Sequence, residues 1–207
     1  HLFGAVRFLY DSNRNMPLDG ETKFKALKKA YACGTELRGK TLGIIGFGRI
    51  GQATAKIALG LGMDIAAYDP SIDETIISVD FFNGQSMDIN VKTRSFDDVL
   101  SKSDFVSLHV PAQNKPTIGA AEMAKMKRGA GLINAARGGV VDEQALVNAL
   151  ESKQLSFAAL DTFVNEPTPA VKILMHPSIS LTPHIGAATN EAQDRIGTEL
   201  AQQIKDI

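Results

Sequence analysis

The spacing of apolar positions changes character along this chain. Near the start, Leu2, Phe3, Val6, Leu9 and Tyr10 recur at helical spacing. Residues 13–20, with Pro17 and Gly20 as punctuation, predict the end of that helix. Phe24, Leu27 and Tyr31 then mark a short second helix, with Lys23, Lys25, Lys28 and Lys29 as its solvated face. From Thr41 onward short apolar runs alternate with helical segments. Leu42, Ile44 and Ile45 read as a buried strand, residues 53–59 as a helix and residues 63–68 as a second strand. Residues 70–90 carry no clear period and read as irregular, followed by an extended piece at 91–94. Ser95 and Asp98 give a capping-box-like start to a helix running through Val99 and Leu100. Further strands are expected over 104–110, 131–134, 156–160 and 179–182. Helices are expected over 120–127, 142–151 (with Ala145, Leu146, Ala149 and Leu150 inward) and 188–204. No internal repeat or low-complexity segment interrupts the series.

Repeated strand–helix units predict an α/β fold: a Rossmann-type, doubly wound parallel sheet with helices on both faces. Such sheets bind ligands at the carboxyl ends of their strands, so the chemistry is expected there. The chain has 207 residues, 44% of them hydrophobic, and a formal net charge of −1. This fits one globular domain and gives no basic excess for nucleic acid; no apolar run is long enough to span a membrane. Cys33 is the only cysteine, so no intrachain disulfide can form, and a cytoplasmic setting is expected. Nothing around Cys33 predicts a low pKa. No cluster with metal-ligand spacing stands out. The chain opens without methionine in the middle of an apolar pattern, which reads as a chain entered partway through.

One glycine-rich turn adds chemistry to this frame. Gly46, Gly48 and Gly51 have G-x-G-x-x-G spacing between the first strand and the first helix of the alternating series. In a dinucleotide site the first glycine permits a tight turn, the second lets backbone approach a pyrophosphate, and the third lets helix pack on sheet. The helix start offers unpaired N–H groups and its positive dipole end. The second strand ends in Asp69, close to the spacing of about 20 residues expected for a carboxylate that binds an adenosine ribose. Such an acid accepts from the hydroxyls of NAD and repels the 2′-phosphate of NADP.

Four later strand ends carry polar groups that packing does not require: His109-Val-Pro111, Asn134-Ala-Ala-Arg-Gly-Gly139, Asp161-Thr-Phe163 leading to Asn165-Glu-Pro167, and Thr182-Pro-His-Ile-Gly186. In order and combination these segments, with the lead-in Leu37-Arg-Gly-Lys-Thr-Leu-Gly43, resemble the D-2-hydroxyacid dehydrogenase family. The resemblance covers nearly the whole chain, to about Gln193, and several segments also look like 3-phosphoglycerate dehydrogenases. It implies a catalytic set of Arg137, Glu166 and His184. His184 would act as general acid–base, Glu166 would orient it, and Arg137 would hold the substrate carboxylate and carbonyl oxygen. It also implies NAD as cofactor. Arg49 and Ile50 would place backbone N–H groups on the pyrophosphate, and Asp161 would accept from the nicotinamide carboxamide. His109, Val110, Pro111, Ala135, Ala136, Arg137, His184, Gly186 and Ala187 would line the cleft. His109 reads as structural rather than catalytic, and His1 and His176 have no motif around them.

The resemblance further implies an oxidoreductase acting on a small 2-hydroxy or 2-oxo acid, with 3-phosphoglycerate in serine synthesis as the leading substrate. Another D-2-hydroxyacid or glyoxylate reductase, or a non-catalytic NAD-sensing corepressor, is the alternative; a formate dehydrogenase is disfavoured by Glu166. The expected organisation is leading helices over 1–36 that form a dimer arm, a core over 37–187 and a closing helix over 188–207. A separate substrate-binding domain is expected outside the chain, so the 207 residues alone should turn over poorly. Two departures stand out: a short connection at 111–119, and Ala187 where glycine is common.

Overall fold

The computed structural model describes residues 1–205. In chain order its elements are α1 (Leu2–Val6), α2 (Leu9–Ala30), β1 (Thr41–Ile45), α3 (Arg49–Gly60), β2 (Asp64–Tyr68), β3 (Glu74–Asp80) and β4 (Ser86–Lys92). Then follow α4 (Phe96–Lys102), β5 (Phe105–Leu108), α5 (Ala120–Lys125), β6 (Ala130–Asn134), α6 (Glu143–Glu151), β7 (Leu155–Leu160), α7 (Val171–Leu174), β8 (Ile179–Leu181) and α8 (Asn190–Lys205). Residues 206–207 of the expected closing segment lie outside the described residues.

Six strands form one parallel sheet in the order β2-β1-β5-β6-β7-β8. The central strands are apolar on both faces because both faces are covered. Along β7, Phe157 and Ala159 pack into one core with Ala5, Val6, Ala55 and Ala58 of α1 and α3. Ala158 and Leu160 pack into the other, with Val99, Leu100, Met123 and Leu146 of α4, α5 and α6. This period of two, with a helical layer on each side, is the expected doubly wound architecture. β2 and β5 lie on opposite sides of β1, so the crevice at the carboxyl ends of β1 and β5 is the topological switch point.

Side-chain caps mark the starts of two helices. Ser95 Oγ accepts from the Asp98 N–H at 3.2 Å and starts α4. The Asp142 carboxylate accepts from the Ala145 N–H at 3.0 Å and starts α6. Most expected strands and helices from Thr41 onward appear with ends shifted by one or two residues; α3 begins four residues earlier than expected, at Arg49, and the short α7 is an addition.

Two expectations are corrected. Residues 70–90 are not irregular: β3 and β4 pair antiparallel from Glu74↔Lys92 to Asp80↔Ser86. Ile77 and Val91 face inward and join the core beside α3, which is what holds this two-stranded ribbon in place. The second correction concerns the leading helices. The first break falls at Phe8, whose φ is 54°, and α2 continues through Pro17 and Gly20. Pro17 strands the Asn13 carbonyl, but both residues are exposed and water can satisfy that group. The second break is at Lys23, with φ −122° and ψ 23°. There the segment folds back: Tyr31 Oη donates to Asp11 Oδ2 at 2.7 Å and accepts from Asn15 Nδ2 at 2.8 Å. A straight helix would hold those ends about 30 Å apart at about 1.5 Å per residue. The short helix expected around Phe24 and Leu27 is therefore present as the second arm of a helical hairpin.

Candidate active site

The glycine-rich turn closes tightly on itself. Gly46 has φ 91°, donates its N–H to the Tyr68 carbonyl at 2.9 Å, and lies so close to the His109 carbonyl that a Cβ there would be 2.5 Å away. A Cβ on Gly51 would come within 2.2 Å of the Gly46 carbonyl oxygen, so the first and third glycines are required by packing. Gly48 differs, because a Cβ there would meet nothing within 4 Å. Gly48 is also the N-cap of α3 and supplies no side-chain cap, unlike Ser95 and Asp142. The start of α3 therefore faces open space with uncapped backbone N–H groups, and the adjoining Ile50 is 69% exposed. These features fit a pyrophosphate, for which the resemblance implies backbone contacts at Arg49 and Ile50.

Asp69 sits beside this turn. Its Oδ2 accepts from the Phe47 N–H at 2.8 Å and its Oδ1 from the Ser71 N–H at 2.9 Å. Asp69 thus both shapes its own turn and braces the fingerprint; each oxygen retains a lone pair for a ribose hydroxyl. Gln52 Nε2 donates to the Phe47 carbonyl at 2.8 Å from the other side. Val110 touches Gly46, where a Cβ would lie 2.9 Å from Val110 Cγ1, so residues 109–110 border the turn and Pro111 follows, exposed. The His109 ring is bonded to Ser107 Oγ at 3.0 Å, and burial pushes its pKa from 6.5 down to about 4. It is neutral at physiological pH.

At the other end of the crevice, Asp161 is 1% exposed and gathers the loop after β8. Its Oδ1 accepts from Thr182 Oγ1 and, at 2.9 Å, from the Ile185 N–H; Oδ2 accepts from the Gly186 N–H at 2.8 Å. Gly186 also adjoins Ala135, with a would-be Cβ 3.9 Å from the Ala135 Cβ. His184 lies inside this loop with φ 55°. Its Nδ1 is 2.8 Å from Glu166 Oε2, while Glu166 Oε1 accepts from the Phe163 N–H at 2.9 Å. The hydrogen bond from His184, and after it the Phe163 N–H, hold the Glu166 carboxyl below its ordinary value. An ionised carboxylate only accepts, so Nδ1 carries the proton and Nε2 of a neutral His184 has the free lone pair. Beside the pair lies a cavity of about 460 Å³ with Phe163, Pro167, Leu174 and Leu181 in its wall.

Arg137 reaches this region through backbone packing. A Cβ on Gly138 would come within 1.9 Å of the Phe163 carbonyl, so the Arg137 turn abuts the turn that carries Glu166. Asn134 shapes it, donating Nδ2 to the Arg137 carbonyl at 3.0 Å and accepting from the Ala136 N–H at 3.1 Å. The exposed Arg137 guanidinium bonds the Ala136 carbonyl at 2.6 Å; among the described residues it has no hydrogen bond to Glu166 or His184. Ala187 is exposed at the far end of the His184 loop. The sequence reading missed the supports: Phe47, Gln52, Ser107, Thr182, and Glu143, whose Oε1 accepts from the Val164 N–H at 2.8 Å. Phe47, Ser107 and Thr182 lie within motif segments, where no role of their own was read for them. Among the described residues no group of three or more His, Cys, Asp or Glu could hold a metal.

The fold and this geometry define a dinucleotide-binding α/β domain with a histidine–carboxylate pair at its strand ends. The family model for the D-isomer specific 2-hydroxyacid dehydrogenase NAD-binding domain matches residues 1–186, and the chain belongs to that family. A hydroxypyruvate reductase of Thermotoga maritima is 44% identical over 191 residues, 90% of this chain and 57% of that protein. A D-3-phosphoglycerate dehydrogenase of Synechocystis sp. is 36% identical over 208 residues, 100% of this chain and 35% of that protein. A glyoxylate reductase crystal structure from Paecilomyes thermophila superposes with a TM-score of 0.76 at 33% identity, covering 95% of this chain and 56% of that one. The chain thus spans between a third and three-fifths of the length of these relatives.

Proposed function

We propose that the chain is the cofactor half of an NAD-dependent oxidoreductase interconverting a D-2-hydroxy acid and its 2-oxo acid. The observation that carries this reading is the His184–Glu166 pair, with Nδ1 bound to carboxylate and Nε2 left free beside the strand-end crevice. Oxidising a 2-hydroxy acid removes a proton from oxygen and a hydride from C2, and bound NAD supplies the hydride acceptor. His184 Nε2 takes the proton and returns it in the reductive direction. Glu166 holds the ring and stabilises the imidazolium. Arg137 swings from the Ala136 carbonyl to pair with the substrate carboxylate.

The cofactor positions are those of the fingerprint, with pyrophosphate over Gly48, Arg49, Ile50 and Gly51, and the adenosine ribose on Asp69. Asp161 Oδ2 receives one donor from the loop and keeps capacity for the carboxamide. His109, Val110, Pro111, Ala135, Ala136, Gly186 and Ala187 complete the wall. The second wall is a substrate-binding domain outside these residues. We assign 3-phosphoglycerate as substrate, in serine synthesis, on the similarity to phosphoglycerate dehydrogenases; hydroxypyruvate or glyoxylate is the second reading, favoured by the 44% identity to a hydroxypyruvate reductase. A homodimer through the leading helices and a cytoplasmic setting, the latter on the strength of one exposed free cysteine, complete the proposal.

The test is NADH oxidation by the full-length protein with 3-phosphohydroxypyruvate, hydroxypyruvate, glyoxylate and pyruvate. Turnover with at least one, lost by about 100-fold or more in His184→Ala, is expected. The reading fails if none is reduced, or if the variant matches wild type.

A further inference from the structure

The left-handed backbone at His184 needs a holder. With φ at 55°, a β-carbon-bearing residue sits in a sparsely populated region that persists only where surrounding bonds over-determine it. Those bonds converge on Asp161, which takes Thr182 Oγ1 from before His184 and the Ile185 and Gly186 N–H groups from after it. The His184 N–H closes a short turn onto the Thr182 carbonyl at 3.1 Å. Thr182 Oγ1 also lies 2.8 Å from Nε2 of His1, at the start of α1. A hydroxyl has one proton, and an ionised carboxylate can only accept. The Thr182 proton therefore goes to Asp161, and His1 Nε2 must be the donor to Thr182. Donation runs from His1 through Thr182 to Asp161, where it meets donation from both amides beyond His184.

We propose that Thr182 is a positioning residue: its hydroxyl, donating to Asp161 and accepting from His1, fixes the loop geometry that presents the His184 imidazole to substrate. This rests on the acid–base role assigned to His184 above. Thr182 does not touch the reacting atoms; it acts through Asp161. Three donors on one buried carboxylate restrain each other, so losing one loosens the other two. The linkage to His1 also ties the site to the helix that opens the chain, and α1 is packed against the sheet through Ala5 and Val6.

The test compares Thr182→Val, Thr182→Ser and His1→Ala in the full-length protein. It reads amide hydrogen exchange at Ile185 and Gly186, NADH affinity by calorimetry, and kcat separately from KM. Loss of one hydrogen bond predicts exchange about tenfold faster and kcat about tenfold lower in Thr182→Val, a change of about 1.4 kcal/mol in each. NADH affinity, which also draws on Asp161 and Gly186, should fall by a smaller factor than kcat does, and Thr182→Ser should restore every value. His1→Ala should move exchange and kcat in the same direction by a smaller factor, and it decides the matter if Thr182→Val does not fold. Unchanged exchange in the folded variants overturns the proposal. So does a fall in kcat that tracks lost NADH affinity, or one that serine fails to rescue. If wild type reduces none of the 2-oxo acids, the enzymatic reading falls, while the exchange data still decide whether Thr182 holds the loop.

Discussion

Two glycines five and two residues into the fingerprint separate folding from binding. Gly51 is pressed against the Gly46 carbonyl, while Gly48 opens onto space with an ordinary φ of −71°. Gly48→Ala should leave the unfolding midpoint within about 0.5 kcal/mol of wild type yet weaken NADH binding by about tenfold or more. Gly51→Ala should destabilise by about 1–3 kcal/mol through overpacking. Calorimetry with urea unfolding checks both, and unimpaired NADH binding by Gly48→Ala would remove the pyrophosphate from that position. His109 gives a pH signature. Its folded pKa is about 4 and its unfolded value 6.5, so its contribution is complete above pH 6.5. As pH falls, the unfolded chain takes up a proton that the native state refuses until about pH 4. Stability should therefore decline between those values by up to about 3 kcal/mol. Unfolding measured across this window should show a shallower decline in His109→Gln; an equal slope would place the acid sensitivity elsewhere. The Glu166–His184 pairing was implied by the resemblance, and the turn at Gly46 and the acid at Asp69 could be read from spacing. The donors on Asp161 could not, because they lie more than twenty residues away and only the fold brings them together.

The same division holds for elements. Strands buried on both faces, such as β1 and β6, announce themselves as unbroken apolar runs, and side-chain caps at Ser95 and Asp142 mark helix starts. The β3–β4 ribbon was hidden because Ile76 and Ile77 stand side by side and blur the alternation. Pairing Ile77 with Ile89 and Ile76 with Asn90 resolves it: one isoleucine faces the core at 4% exposure and its neighbour faces solvent at 62%. The signal that could have found the ribbon is Asn83-Gly84 at its tip, where Gly84 has φ 81° and donates to the Phe81 carbonyl. Pro17 misled in the opposite sense, since an exposed helix tolerates a proline that a buried one would not. The register makes a sharp prediction for urea unfolding. Ile77→Ala should cost about 2–3 kcal/mol and Ile76→Ala less than about 0.5 kcal/mol. Reversed effects would mean that the ribbon sits one residue out of register, and equal effects that neither isoleucine is held by the core.

For the whole molecule, what the sheet does not bury matters as much as what it does. No residue of α2 is buried, and Leu9, Leu18 and Phe24 of that element are each more than half exposed. Between this helical hairpin and the amino ends of β5, β6 and β7 lies a cleft of about 620 Å³, with Tyr10, Tyr31, Phe105 and Phe157 among its walls. A helix pair with apolar side chains and no core of its own gains by burying them, at about 25 cal/mol per Å² of apolar area. A second copy offers the same surface and the same cleft, so a two-fold pairing would satisfy both at once. The proposed dimer therefore predicts a sedimenting species of twice the monomer mass at tens of micromolar chain. Leu18→Lys with Phe24→Lys should shift it to monomer while NADH affinity stays within about twofold, because the fingerprint lies at the opposite ends of the strands. A wild-type chain that sediments as a monomer at that concentration would leave α2 without this partner and refute the arm as a dimer element.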